Sequence, residues 1–443
     1  MAQVIGIIAD DLTGANDSGV QLTEKGIDTS VLFDIPEDQK NLNDGIVVDT
    51  NSRALAREDA YQVTRKAAAF LKDSGYQHIY KKMDSTLRGH IGTELEAVRE
   101  VFEPEFIIIA PAFPPYGRTT VDGHHYVKGI KISETEISKD PKHPVTESYI
   151  PEIIEKENGA AVGLIKADEL RQDFFSWEKK INKFRAEHTQ YIVCDAETEA
   201  DLQTIVERMS LLADKIIWSG SAGLAEVLPQ VLKIGRDFDR QPIVQSKQVM
   251  TVCGSLSEVT QQQVHFAKNQ VNVASIEIDT LQIFADEWKI YAEQYIADSI
   301  HGLNEGKDIV LYVPSNNEIR TQVKQLGDKL QFTPNQIGER ISQAIGQIVA
   351  RVSADAPGLS GFVLTGGDTA KETARHLGAV GFRLVRQIEA GIPLGTLIGP
   401  DREISAVTKA GAFGRIASIY HAMQELKGVL NDEQEANRRY NYG

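Results

Sequence analysis

Cysteine is nearly missing from this chain: among 443 residues only Cys194 and Cys253 occur. Each closes an apolar, strand-like run, Tyr191 to Val193 and Val249 to Val252. Two isolated thiols offer neither a disulfide framework nor zinc spacing, so they read as reduced core residues of a cytoplasmic protein. Also lacking is any apolar stretch long enough to span a bilayer, and the chain opens in a strand-like run without the pattern of a signal peptide. Basic residues are the minority, with 47 Lys and Arg against 63 Asp and Glu, a net charge of −16. That balance argues against nucleic acid or an anionic membrane as the main partner. An anionic substrate would then need a local cluster of Lys and Arg. Neither standard nucleotide fingerprint occurs: no G-x-x-x-x-G-K-[ST], and no G-x-G-x-x-G after a strand-like run. A P-loop enzyme and an ordinary dinucleotide oxidoreductase are both disfavoured.

What the chain does contain is an alternation of short apolar runs and helix-forming segments. Its length suggests roughly two to three domains. Val4 to Ala9, Thr29 to Phe33, Gly45 to Val48 and Phe106 to Ala110 read as strands, and Ala15 to Lys25 as a helix closed by Gly26. Such alternation predicts an α/β fold with mostly parallel sheets flanked by helices. From Pro111 to Pro151 prolines and glycines break the rhythm, which predicts a long irregular segment. Gly235 to Lys247 is polar and a fresh strand opens at Gln248, giving two domains, 1–240 and 247–443. The polar tail from Asn431 belongs to neither layer.

Three turns in the second half are candidate phosphate cradles, each following a predicted strand. They are Gly254-Ser255, with Ser255 and Glu258 at capping-box spacing; Gly366-Gly367-Asp368-Thr369; and Lys409 to Gly414. In the second, the run Phe362 to Leu364 feeds two glycines and then a helix from Ala370 to Leu377, which Asp368 or Thr369 can cap. Backbone N–H groups lie open there, the helix dipole favours an anion, and Lys371 can add a positive charge. Ligands of open α/β sheets sit outside the carboxyl ends of strands, so three such turns can surround a polyphosphate.

The first half offers a different cluster at its strand ends. Asp10, Asp11, Asn16 and Asp17 follow the first strand; Asn51, Ser52 and Arg53 follow another; Lys81, Lys82, Asp84, Ser85 and Arg88 a third. Arg53, Lys82 and Arg88 would form a positive pocket for a carboxylate, and the Asp, Ser and Asn groups suit sugar hydroxyls. An Asp within reach of a hydroxyl could act as base in phosphoryl transfer. The plain alternative is a solvated rim of weak surface ion pairs. Asp10-Asp11 could hold Mg²⁺ or cap the following helix. Adjacent His124 and His125 do not converge on one metal. Met83 reads most simply as core, and Gln261 to Gln263 as a solvated helix face.

The motifs ADDLTGANDSGVQL, KKMDSTLRGHIGTEL, APAFPPYGRTTVDGHHYV, SGSAGLAE, GSLSEVT, LTGGDTAKE and TKAGAFG, in this order from Ile5 to Gly414, resemble the four-carbon acid sugar kinase family. The resemblance implies an N-terminal domain for a four-carbon sugar acid and a C-terminal domain for ATP with Mg²⁺, with the active site in the cleft between them. It implies transfer of the γ-phosphoryl group to the terminal hydroxyl of an acid such as D-threonate, D-erythronate or 3-oxo-tetronate. Substrate contacts would fall on Asp11, Arg53, Lys82, Met83, Asp84 and Ser85, and nucleotide contacts on Ser255, Gly366, Gly367, Asp368, Thr369 and Gly411. Asp11 and Asp368 both stand as candidates for the acceptor base, metal ligands stay unassigned, and 276–358 gives no purine pocket. Two rivals remain: a dinucleotide-dependent dehydrogenase or isomerase of a sugar acid, and a non-catalytic sensor. A homodimer is open.

Overall fold

The computed structural model describes residues 3–36, 42–140, 143–236 and 243–429. The linker around 237–242 and the tail from Asn431 fall outside them. Contacts divide the chain into two units, Met1–Asp239 and Arg240–Gly443.

The strands of the first unit are β1 (Ile5–Ala9), β2 (Thr29–Leu32), β3 (Gly45–Asp49), β4 (His78–Lys82), β5 (Phe106–Ala110), β6 (Arg118–Val121), β7 (His124–Val127), β8 (Ile130–Lys131), β9 (Val162–Ile165), β10 (Tyr191–Cys194) and β11 (Ile216–Gly220). Parallel pairing gives the order β2-β3-β1-β4-β11-β5-β10-β9. β1 and β5 are buried along their whole length, as expected of strands covered by helices on both faces. The Arg57–Asp73 helix turns Ala67, Ala68 and Leu71 onto the sheet. Leu71 packs so closely that a Cβ on Gly6 would lie 2.9 Å from its Cδ atoms.

The segment 111–151 departs from expectation. Instead of a long irregular loop it contains a small antiparallel sheet, β6-β7-β8. Both of its turns, Asp122-Gly123 and Lys128-Gly129, have positive φ at each central residue, the backbone that two-residue hairpins need. Asp-Gly was the available signal, and the surrounding prolines masked it.

The second unit adds β12 (Val249–Cys253), β13 (Val273–Glu277), β14 (Asp308–Tyr312), β15 (Gly361–Thr365), β16 (Gly381–Glu389), β17 (Ile392–Ile398) and β18 (Ser405–Lys409), in the order β13-β14-β12-β15-β18-β17-β16. The first five are parallel, whereas β16 and β17 form an antiparallel hairpin joined to β18. Residues 381–398 thus form a strand pair that turns at Gly391 (φ 74°). No helix among the described residues is long and apolar enough to cross a membrane.

Candidate active site

Topology assembles the first cluster. β1 lies between β3 and β4, with Ala9 opposite both Asp49 and Lys82. The loops that follow therefore bring Asp10-Asp11, Arg53 and 83–88 to one edge of the sheet. Arg53 organises them: its Nε and Nη2 donate to the two oxygens of Asp10 at 2.8 and 3.0 Å, and Nη1 donates to Asp11 Oδ2 at 2.8 Å. Asp11 Oδ1 accepts the Gly14 N–H at 2.8 Å, so Asp11 caps the helix that follows. Asp84 accepts from Thr86 Oγ1 at 2.5 Å and Arg88 Nε at 2.6 Å, and Arg88 Nη1 reaches Asp140 at 3.4 Å. Buried Lys81 pairs with Glu94 at 2.7 Å. Lys82 Nζ donates to the Met83 carbonyl at 2.7 Å and overhangs Gly14, whose added Cβ would lie 2.9 Å away.

The expected positive pocket is therefore a network of alternating charge. The reason is burial, since a guanidinium taken out of water without counter-ions costs several kcal/mol. The carboxylates respond unequally. Burial acts to raise Asp10, but Arg53, Lys81 and Lys82 outweigh it and hold the group low. For Asp11 burial wins over Arg53 and the pKa rises. Asp17 is pushed up to about 6 by burial, against the pull of Lys82. Burial of Asp84 is overridden by Arg53 and Arg88, which keep it ionised. Met83 packs into the apolar core, so only its backbone could meet a ligand. Ser85 is half-buried. Within the loop, buried Leu87 adopts a left-handed conformation (φ 59°), a strain of about 1–2 kcal/mol held by its N–H bond to the Asp84 carbonyl at 3.0 Å.

The second cluster is equally a product of strand order. β15 lies between β12 and β18, with Cys253, Thr365 and Lys409 in register. All three candidate cradles thus leave adjacent strand ends. They touch: a Cβ on Gly254 would sit 1.9 Å from Thr369 Oγ1, one on Gly411 would sit 2.3 Å from Ser255 Oγ, and Gly366 (φ 88°) faces the Ser255 backbone. Two capping expectations fail. Gly366 itself is the N-cap of the Gly367–His376 helix, leaving Asp368 exposed in the first turn, while buried Thr369 turns inward to Ser342 Oγ at 3.2 Å. Ser257, not Ser255, caps the Glu258–Lys268 helix; Ser255 Oγ accepts the Ser257 N–H at 3.2 Å. Lys371 is buried.

A family model described as a sugar-binding N-terminal domain matches residues 5–228, and one described as a nucleotide-binding C-terminal domain matches 250–419. The D-threonate kinase of Salmonella typhimurium is 33% identical, over 95% of this chain and 98% of that protein. The chain belongs to the four-carbon acid sugar kinase family. The D-erythronate kinase of Heliobacterium modesticaldum is 29% identical over 98% of this chain and 99% of its own. Among solved structures, Haemophilus influenzae protein HI1011 superposes with a TM-score of 0.76 at 23% identity, covering 96% of this chain and 99% of that one, a likeness of fold.

In this family member several side chains brace the cradles, a role that the sequence pattern does not show for Lys409 or for the glutamines at 261 and 263. Lys409, buried at the end of β18, donates to the carbonyls of Ala410 (2.8 Å), Phe413 (3.1 Å) and Gly411 (3.3 Å) and to Thr260 Oγ1 (3.2 Å). Burial lowers its pKa to about 8. Gln263, expected on a solvated face, is fully buried and donates to the carbonyls of Phe413 and Arg415 at 3.0 and 2.7 Å. Gln261 reaches the Ser255 carbonyl at 3.0 Å. The two carbonyls that Gln263 meets lie about 150 residues along the chain, as does the Thr260 hydroxyl that Lys409 meets, and no local pattern reveals such pairs. Because Thr369 is β-branched and buried, Gly254→Ala should force the cradle apart. We expect ADP affinity to fall at least about tenfold, with sugar-acid affinity unchanged in calorimetry; unchanged ADP affinity would show the contact to be harmless.

His125, rejected as a metal ligand, proves structural. It is fully buried, its Nε2 lies 2.9 Å from the Ser85 carbonyl, and its Nδ1 lies 3.1 Å from Thr120 Oγ1. Burial pushes its pKa down to about 4, so the ring is neutral at pH 7, with Nε2–H donating to Ser85 and Thr120 donating to Nδ1. The unfolded chain, with a His pKa near 6.5, binds more protons than the folded one between about pH 4 and 6.5. Stability from this residue is complete above that window and lost as pH falls through it, by roughly 3 kcal/mol. Asp17 works in the opposite sense, because protonating its raised carboxyl relieves a buried charge. The difference between wild type and His125→Gln isolates the histidine: the variant's melting temperature should decline less between pH 7 and 5. Parallel curves would exclude the effect.

Proposed function

We propose that this protein is an ATP-dependent kinase that phosphorylates the terminal, C4 hydroxyl of a four-carbon sugar acid such as D-threonate, D-erythronate or 3-oxo-tetronate. The observation that carries this reading is the meeting of Gly254, Gly366 and Gly411 at three adjacent strand ends. Bare backbone amides at a helix N-terminus suit nucleotide phosphates, and side chains there would only obstruct them. The N-terminal cluster supplies the complementary chemistry, with Asp11 and Ser85 for hydroxyls and Arg53, Lys82 and Arg88 to balance their charge. Residues 1–240 would thus serve the acid and 247–443 the nucleotide, the latter through Ser255, Gly366, Gly367, Asp368, Thr369 and Gly411.

Among the described residues no three His, Cys, Asp or Glu are grouped to hold a metal. The donor set instead suits Mg²⁺ carried on the nucleotide, with exposed Asp368 the carboxylate available to it. When bound, Mg²⁺ neutralises phosphate charge. Asp11 and Asp368 remain the two candidates to take the acceptor proton. Asp11 is the more encumbered, since both its oxygens already accept hydrogen bonds. Asp368, exposed in its turn, has room for a hydroxyl.

The test is ADP release over D- and L-threonate, D- and L-erythronate and 3-oxo-tetronate with MgATP. Turnover of at least one acid is expected. No turnover on any, together with a thermal shift by NAD but not ADP, would replace this reading with a dinucleotide enzyme.

A further inference from the structure

Choosing a sugar acid over a neutral sugar requires a cation that the protein has not already neutralised. The cations of the first cluster are nearly all spoken for. Arg53 gives its N–H groups to Asp10 and Asp11, Arg88 to Asp84 and Asp140, and Lys81 pairs with Glu94; Lys82 donates to a carbonyl and, as a point charge, lacks the planar fork that grips a carboxylate by two bonds. Arg118 differs. Its Nη1 donates to the Tyr116 carbonyl at 2.5 Å and its guanidinium lies 6.0 Å from the Tyr116 ring centroid. Its Nε is shielded from solvent yet has no hydrogen-bond partner. No carboxylate among the described residues forms an ion pair with it. A buried guanidinium N–H left unmet is costly, and the Nε–Nη2 edge is the one that meets a carboxylate side-on through two parallel hydrogen bonds.

Its place in the fold supports that use. Arg118 opens β6, and Thr120, two residues on, shares its face of the strand. Thr120 holds His125, which holds the Ser85 carbonyl. The charge of Arg118 acts on His125 alongside that of Asp84, and on Tyr116 alongside those of Asp17 and Glu226. Arg118 is thus linked through Thr120 and His125 to the Ser85 turn, and its charge reaches side chains that Asp84 and Asp17 also reach.

We propose that Arg118 binds the substrate's carboxylate through Nε and Nη2, and that it, rather than Arg53, makes the enzyme select sugar acids over neutral four-carbon polyols. The assignment rests on the kinase reading above. Arg53 then serves to hold Asp10 and Asp11 in place.

The experiment compares full-length wild type, Arg118→Met and Arg118→Lys in ADP release with the best wild-type acid and with threitol and erythritol. Arg118→Met should raise KM for the acid about 30- to 100-fold, leave kcat at saturation within about threefold, and erase the preference for acid over polyol. Arg118→Lys, which keeps the charge but not the fork, should recover part of that preference. ADP-induced thermal stabilisation, a property of the other domain, should match wild type in both. An acid KM within twofold of wild type in both variants overturns the Arg118 assignment and leaves the kinase reading standing. A wild-type enzyme that turns over no acid overturns the kinase reading, and the assignment with it. If Arg118→Met does not fold, Arg118→Lys decides alone: an unchanged KM and acid-to-polyol ratio counts against the proposal, and a tenfold rise in KM with intact ADP binding counts for it.

Discussion

Arg53→Ala should lower the melting temperature of the protein by about 10 °C and abolish sugar-acid turnover. Three carboxylates face this guanidinium, and Asp10 is 2% exposed. Removing one member of a buried ion pair strands its partner, at a cost of about 3–5 kcal/mol. For a domain of this size that corresponds to a shift of roughly 6–20 °C. The loss should depend on pH. Asp10, held low mainly because Arg53 outweighs burial, would return to a raised pKa without it, and stability would recover as the solution is acidified and the stranded carboxyl takes up a proton. Pairing the changes gives the sharper measurement. Arg53→Met with Asp10→Asn removes both charges, so most of the stability should return, while KM for the acid stays high because Asp11 has lost its anchor. Nucleotide affinity, measured by calorimetry with ADP, should hardly move in either variant. Equal losses for acid and ADP would refute the division of ligands between the domains. A single variant that melts like wild type would show that the network contributes nothing.

That network marks how far the chain itself can be read. Buried strands such as Phe106–Ala110 are legible because five consecutive apolar residues have few alternatives. The three glycine turns were legible too, since Gly-Gly after an apolar run has a backbone reason. Two things lay beyond reach. The first is which strand ends become neighbours: β12, β15 and β18 adjoin in the sheet, yet β15 starts 108 residues after β12 ends. The second is which charges cancel. Asp10, Arg53 and Asp84 are separable letters in a sequence, and only burial decides that they must neutralise one another. The antiparallel pair β16/β17 was missed for a third reason. Its strand content is spread over mixed residues such as Arg383, Arg386 and Gln387, whose partly exposed faces weaken the apolar signal.

Asp368→Ala should reduce kcat by about 10²- to 10⁴-fold while leaving the fold almost untouched. The side chain is exposed, stands in the first turn of the Gly367–His376 helix, and caps nothing. Its stabilising interaction with the helix dipole is worth only about 0.3–1 kcal/mol, a few degrees of melting temperature at most. Loss of a positioned base is worth the larger factor. The way the loss divides tells its cause. A fall in kcat with KM for ATP unchanged means that Asp368 acts only as the phosphoryl group moves. A rise in KM for MgATP that excess Mg²⁺ relieves means that it helps hold the nucleotide's metal. Asp368→Asn separates the two further, since an amide oxygen can still accept a hydrogen bond and contact Mg²⁺ but cannot take a proton at neutral pH. Near-normal kcat in Asp368→Asn would pass the role of base to Asp11. Because Gly366, not Asp368, forms the helix cap, an Asp368→Ala variant that fails to fold would contradict the assignment of this turn to ligand rather than to structure.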